Sequence, residues 1–418
     1  MPITDDHNIA IEATDVAIIG AGPAGSIAAG LLRQYGYSVT VLEHQHFPRF
    51  SVGESLLPQC MEFIREAGMQ ESVDTAGFRF KNGAAFACAD SSGQFDFTDK
   101  FSPGAGTIFQ VERAKFDQIL ANGAVNHGAD IRYGHKVLGV TTDTSGASVE
   151  VAAESDQSYT LQARYLLDAS GFGRVLPRLL DLELPSTMPS RTSLLTHIED
   201  NIDAGAFDRD KISIHIHPQQ CDVWFWLIPF QSRCSVGVVA EDSFFQRYAH
   251  LEPKQRLQTI IAEVPTLSGL LTEASFDTEV RQISGYSCDV KSLYGNSFAL
   301  LGNAGEFLDP VFSSGVTIAM KSAALIAPLV DQHLRGKPVD WQQQYAIPLK
   351  QGVDTFRAYV EAFYDGRLQK IIFSDNQPRH IRAMISSILA GYAWDKNNPL
   401  VAKPEARLNA IYELCSAS

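Results

Sequence analysis

Two hydrophobic periods alternate along the chain and divide it into regions. DVAII (Asp15–Ile19) is a short unbroken apolar run, as expected of a strand buried on both faces, and it leads directly into the glycines of GAGPAG. SIAAGLLRQYG follows with small and apolar residues at helical spacing, and SVTVLE then supplies a second buried strand that ends on Glu43. This order predicts one βαβ unit of a parallel sheet. From about Arg191 to Ser287 the segments KISIHIH, VWFWLIP and CSVGVVA predict antiparallel strands of a second, substrate-facing sheet. NSFALLGNAG returns the chain to the first sheet, and beyond Gly315 the runs VTIAMKSAALIAPLVDQHL and VDTFRAYVEAFYDGRLQKII predict a C-terminal helical layer. The expected class is α/β. Its Rossmann-like nucleotide domain is discontinuous (1–80, 105–190 and 288–335), its β-sheet domain spans 81–104 and 191–287, and 336–418 is helical. No internal repeat or low-complexity linker interrupts this pattern.

Composition narrows the partners. With 45% hydrophobic and 20% charged residues the 418-residue chain reads as a soluble globular protein large enough to enclose a cofactor. A formal charge of -14, from 34 basic and 48 acidic residues, repels a phosphate backbone, so nucleic acid is not an expected partner. Cys60, Cys88, Cys221, Cys234, Cys288 and Cys415 are far apart and form no CxxC pair, which predicts free thiols and no zinc site. His215 and His217 would share a strand face, but no third ligand stands nearby and no metal is expected. MPITDDHNIAIEAT lacks a basic and an apolar targeting region, and no apolar run is read as a membrane span. A cytoplasmic location is expected.

Gly20, Gly22 and Gly25 have GxGxxG spacing. The turn needs residues without Cβ, and a pyrophosphate must approach bare backbone at the helix N-terminus. Glu43 stands where a carboxylate would bind ribose hydroxyls. NAD and FAD both use this fingerprint, and the later motifs distinguish them. YLLDASGFGR (Tyr165–Arg174) and FALLGNAGEFLDPVFSSG (Phe298–Gly315) resemble the flavin-contacting motifs of the glutathione-reductase-type FAD monooxygenases. Arg113, in QVERAKFD, resembles the arginine those enzymes hold against the flavin; taken alone, Arg113 and Asp117 read as a surface helix pair. WFWLIP (Trp224–Pro229), FRFKNGAAF with Lys81, and DPVFSSGV narrow the resemblance to the flavin-dependent halogenases, over nearly all of Asp15 to about Ser322.

The resemblance implies an FAD-dependent halogenase. In that family reduced FAD and O2 give a flavin hydroperoxide, a chloride or bromide ion attacks it, and hypohalous acid is released. Catalysis is then assigned to Lys81, Trp224, Trp226 and Ser313, and the halide to Ser314 and Gly315. Lysine suits halogen delivery because a long amine can hydrogen-bond hypohalous acid or become a haloamine. The two tryptophans would keep substrate away from the flavin. The cofactor falls to Gly20, Gly22, Pro23, Ala24, Gly25, Glu43, Arg49, Arg113, Asp168, Gly302, Asn303 and Val316. Two positions depart from the family. Phe312 replaces the glutamate with which tryptophan halogenases assist proton removal from indole, and Asn303 replaces an aspartate of the ribityl contact. The implied substrate is therefore a phenol or pyrrole, free or tethered to a carrier protein, with a separate flavin reductase supplying FADH2. A flavin hydroxylase, an alkene reductase of the geranylgeranyl-reductase kind and a non-catalytic flavin-binding protein share the fold and stay open.

Overall fold

The computed structural model describes residues 10–155, 157–375 and 377–416, so the first nine residues of the N-terminal reading lie outside it. An eight-stranded sheet is built on a parallel core in which Ala10–Ile19 lies between Ser158–Asp168 and Val39–Glu43. Phe298–Leu300 and Asp130–Tyr133 extend this core on its two sides, also in parallel. The first strand starts earlier than its apolar run suggests. Ala10–Ala13 are exposed, yet they pair with Tyr159–Gln162, because the partner strand runs on past the core and keeps their backbone groups bonded. Pro23–Gln34 crosses over this sheet and packs against Ser314–Leu334.

The second sheet has seven strands, among them Arg191–Glu199, Arg233–Glu241, Gln220–Pro229 and Lys211–His217 in that order. It is not wholly antiparallel. Lys211–His217 pairs in parallel with Gly83–Cys88, which arrives from a distant part of the chain as half of a hairpin with Ser91–Asp96. Lys81 is not on this sheet. It ends a short ribbon in which Arg79–Lys81 pairs with Ile108–Gln110.

The helical tail is broken where the sequence pattern runs on. Gly366, at φ +85, ends Ile347–Tyr364 and starts Arg367–Ile372, a turn that a residue with a Cβ would strain. Ser314–Leu334 is, among the described residues, the one helix long and apolar enough to cross a membrane, contrary to the expectation that no such run exists. Its apolar character has a local cause: 61% of the most apolar stretch is buried inside the protein.

Candidate active site

Between the two sheets lies a cleft of about 670 Å³. One end is made by the glycine turn, and the three glycines do different work. Gly20 sits at φ +95, and a Cβ there would lie 2.6 Å from Ala169 O. A Cβ on Gly25 would lie 1.9 Å from Gly20 O, so both glycines are required by the fold itself. Gly22 is different. Its φ is -70°, and the nearest atom to an added Cβ is Arg49 Nη2 at 3.4 Å. The space in front of Gly22 is open cleft, and no side chain caps the helix that starts at Pro23, which leaves first-turn N–H groups for an anionic ligand.

Glu43, Arg49 and Arg113 line the same cleft. The buried Glu43 accepts from Ala21 N and Gln45 N, both at 3.0 Å, which fixes the carboxylate at the strand end. Arg113 and Asp117 are no surface pair. Both are buried, the guanidinium donates to the two Asp117 oxygens at 2.8 and 3.0 Å, and its Nη1 also donates to Val52 O. Arg49 Nη1 lies 3.3 Å from Asp117, so one carboxylate holds two arginines at the cleft. Every member of this buried group thus has an ion-pair partner.

At the far side, Asn303, Ser313, Gly315 and Val316 line the cleft where Ser314–Leu334 begins. Asn303 Oδ1 is buried and has no hydrogen-bond partner, a state that a ligand hydroxyl would relieve. Ser313 adopts φ +55, strained for a residue with a Cβ, and this turn aims the helix start at the cleft.

Trp224 and Trp226 both reach the cleft from one strand face, while Val223, Phe225 and Leu227 pack into a separate core on the other. Their ring centroids are 5.8 Å apart. Trp226 Nε1 donates to Ser235 Oγ at 3.0 Å, and its ring fills the place a Gly237 side chain would take. The glycine turn, the start of the Ser314–Leu334 helix and the tryptophan wall therefore share one cavity.

Other assigned residues lie elsewhere. Asp168 is buried behind the cleft, where it accepts from Ser170 N and Leu176 N at 2.9 and 2.6 Å; it shapes the Ser170–Gly173 loop, which does line the cleft. Gly302 allows close approach of Ala319, 2.8 Å from an added Cβ, and Ser314 is buried beneath the helix start. Lys81 does not line the cleft. It is fully buried, with Nζ donating to Leu56 O at 2.7 Å and lying 5.5 Å from the Phe97 ring centroid. Leu56 directly follows the cleft-lining segment Ser51–Ser55, so the amine stands one layer behind the cavity. Burial without a counter-ion lowers its pKa to about 7.

The two strand histidines are engaged separately. His215 bonds Ser213 and Thr266 at 2.9 and 3.0 Å and is pushed down to about 4 by burial, while His217 meets Glu263 at 3.1 Å. Two cleft features were missed from the sequence. Glu54, in SVGESLLP, lines the cleft and meets His197 Nε2 at 2.6 Å, tying a loop of one sheet to a strand of the other. The Gly-Glu-Ser spelling was a visible signal. The contact of Tyr364 with the tryptophan wall had none, because a distant helix supplies it.

The FAD binding domain family matches residues 13–341. Curated relatives include the 1H-pyrrole-2-carbonyl-[peptidyl-carrier protein] chlorinase of Pseudomonas fluorescens, 28% identical over 94% of each chain. Among solved structures, the flavin-dependent brominase Bmp2 is 25% identical with a TM-score of 0.83 and covers 97% of this chain and 100% of its own. The chain belongs to the FAD-binding-domain family, and flavin-dependent halogenases are among the proteins it resembles. FAD is the cofactor of this protein, and the open space at Gly22 and the orphaned Asn303 oxygen both fit it. A flavoprotein/dehydrogenase from Cytophaga hutchinsonii is also similar, at 40% identity and a TM-score of 0.94, covering 97% of this chain and 99% of its own.

Proposed function

We propose that the protein halogenates an electron-rich aromatic ring, a phenol or a pyrrole, with chloride or bromide, O2 and FADH2 from a separate flavin reductase. The observation that carries this reading is the single cavity shared by the Gly22 cradle, Trp224, Trp226 and the Ser313–Val316 helix start. A carrier-tethered pyrrole is the favoured substrate form, since the pyrrolyl-carrier-protein chlorinase aligns over almost the whole chain. When bound, FAD supplies the oxygen chemistry that turns halide into a hypohalous oxidant.

The protein's own groups do the rest. The backbone at Gly22 and the start of the helix at Pro23 hold the pyrophosphate, and Glu43 faces the ribose. The backbone N–H of Gly315, which lines the cleft, holds the halide at the helix start. The tryptophans exclude the aromatic substrate from the isoalloxazine side. The Lys81 amine, lowered to about 7 by burial, exchanges a proton for the halogen of hypohalous acid with release of water, then gives the halogen to the ring carbon and regains a proton as the ring loses its own.

A second reading, a flavoprotein reduced directly by NAD(P)H, draws on the layer between Lys81 and the cleft and on the Cytophaga relative described as a flavoprotein/dehydrogenase. Anaerobic mixing with NAD(P)H separates the two. No bleaching of bound flavin is expected within minutes, while FADH2, bromide and air give a brominated phenol or pyrrole detectable by mass spectrometry. Fast bleaching and no halogenated product would favour the second reading.

Free tryptophan is expected not to be turned over. Phe312 is buried and packs edge-on to Tyr359 and Phe363, so no carboxylate stands where one would assist an indole. Halotryptophan formed as fast as a halophenol in the same assay would contradict this.

A further inference from the structure

Behind the tryptophan wall runs a hydrogen-bonded chain that the proposed chemistry does not use. Val311 N donates to Asp309 Oδ1 at 2.9 Å, and Tyr364 Oη donates to Asp309 Oδ2 at 2.8 Å. The same hydroxyl accepts from Trp224 Nε1 at 2.9 Å. Arg191, itself buried, lies 3.5 Å from the Tyr364 ring centroid and pins that ring from its face. An apolar path runs beside the polar one. Phe363, the neighbour of Tyr364, meets the edge of Trp224 at 6.5 Å and of Phe312 at 5.7 Å between centroids. One helix end therefore grips both the wall tryptophan and the loop that leads into the halide-side helix.

We infer that Tyr364 and Asp309 are positioning residues that lock Trp224 to the loop Asp309–Ser313, so that the wall and the halide side keep one geometry. The inference rests on the proposed function for what that geometry achieves, and on the structure alone for the lock itself. A buried indole N–H needs an acceptor. Tyr364 provides it only while its own proton has somewhere to go, and Asp309 receives that proton. Burial raises Asp309 to about 6, with Arg191 opposing; Arg191, Tyr286 and Tyr364 are the titratable groups that face it. A protonated carboxyl would donate to Tyr364 and reverse the chain, loosening the hold on Trp224.

The test reads the lock and its consequence separately. In FAD-loaded protein labelled with 15N-tryptophan, the Trp224 indole N–H, assigned with Trp224→Phe, should exchange slowly, and at least tenfold faster in Tyr364→Phe or Asp309→Ala. The double variant should be no faster than either single one, because one chain is broken twice. Asp309→Asn, which keeps an acceptor oxygen, should restore most of the protection and abolish the change in exchange seen in wild type through about pH 6. In turnover, the same variants should release several-fold more hydrogen peroxide per product at unchanged FAD affinity. If wild type makes no halogenated product, the proposed function fails while the exchange data still judge the lock. Exchange in Tyr364→Phe equal to wild type would overturn the inference.

Discussion

Lys81→Ala is expected to abolish halogen transfer while flavin reoxidation continues. The two steps belong to different groups. Bound FAD would supply the oxygen chemistry from the cleft, whereas Lys81 lies one layer behind it, held on Leu56 O. Losing a positioned group that mediates transfer should cost on the order of 10² or more in rate. Product yield and single-turnover flavin absorbance, measured together, separate the two steps. Because Lys81 is fully buried, alanine also leaves a hole, so Lys81→Met is the companion variant: it fills the space without an amine.

Lys81→Met also has a signature in stability. The folded amine titrates near 7 and an unfolded lysine near 10.5, so between these values the unfolded chain binds more protons. Stability of the wild type should therefore rise with pH across that window, by on the order of 5 kcal/mol at most, and the methionine variant should lack this component of the rise. It should accordingly be the more stable protein at pH 7, measured by urea titration. A methionine variant that makes product at a near-normal rate would leave Lys81 a structural residue with no part in halogen transfer.

The sequence disclosed those parts of the site whose chemistry is bound to local backbone. GAGPAG and SVTVLE sit on consecutive elements, so spacing alone places Glu43 beside the glycine turn. Period-two alternation likewise puts Trp224 and Trp226 on one face. What depends on distant segments was not legible. Motif position assigns Asp168 and Gly302 to the cofactor, but the direction of the Asp168 carboxylate is set by the N–H groups of Ser170 and Leu176, and Gly302 answers to a helix that the chain reaches later. The resemblance singles out Lys81 for catalysis but does not reveal that the fold encloses it fully, and Tyr364 carries no motif because its partners come from a strand and a loop far away in sequence.

Gly22→Trp and Gly25→Val should fail in different ways, and the difference tests the cofactor site. A side chain at Gly25 collides with Gly20 O at 1.9 Å, a contact between two backbone segments that neither can relieve. Gly25→Val should therefore disrupt the turn and lower thermal stability with or without FAD, as a backbone-strained core position does. At Gly22 the backbone is ordinary and the only neighbour is the end of the Arg49 side chain, which can swing aside. Gly22→Trp should fold with near-normal secondary structure by circular dichroism, because its indole extends into the cleft rather than the core. That indole occupies the approach of the pyrophosphate to the helix start, so FAD affinity should fall by a factor of 10² or more in a fluorescence titration, a loss of about 3 kcal/mol. Arg49→Lys should have a smaller effect, since Arg113 still pairs with Asp117. If Gly22→Trp bound FAD as tightly as wild type, the pyrophosphate would have to lie elsewhere, and the assignment of the Gly20–Gly25 turn to the cofactor would be wrong.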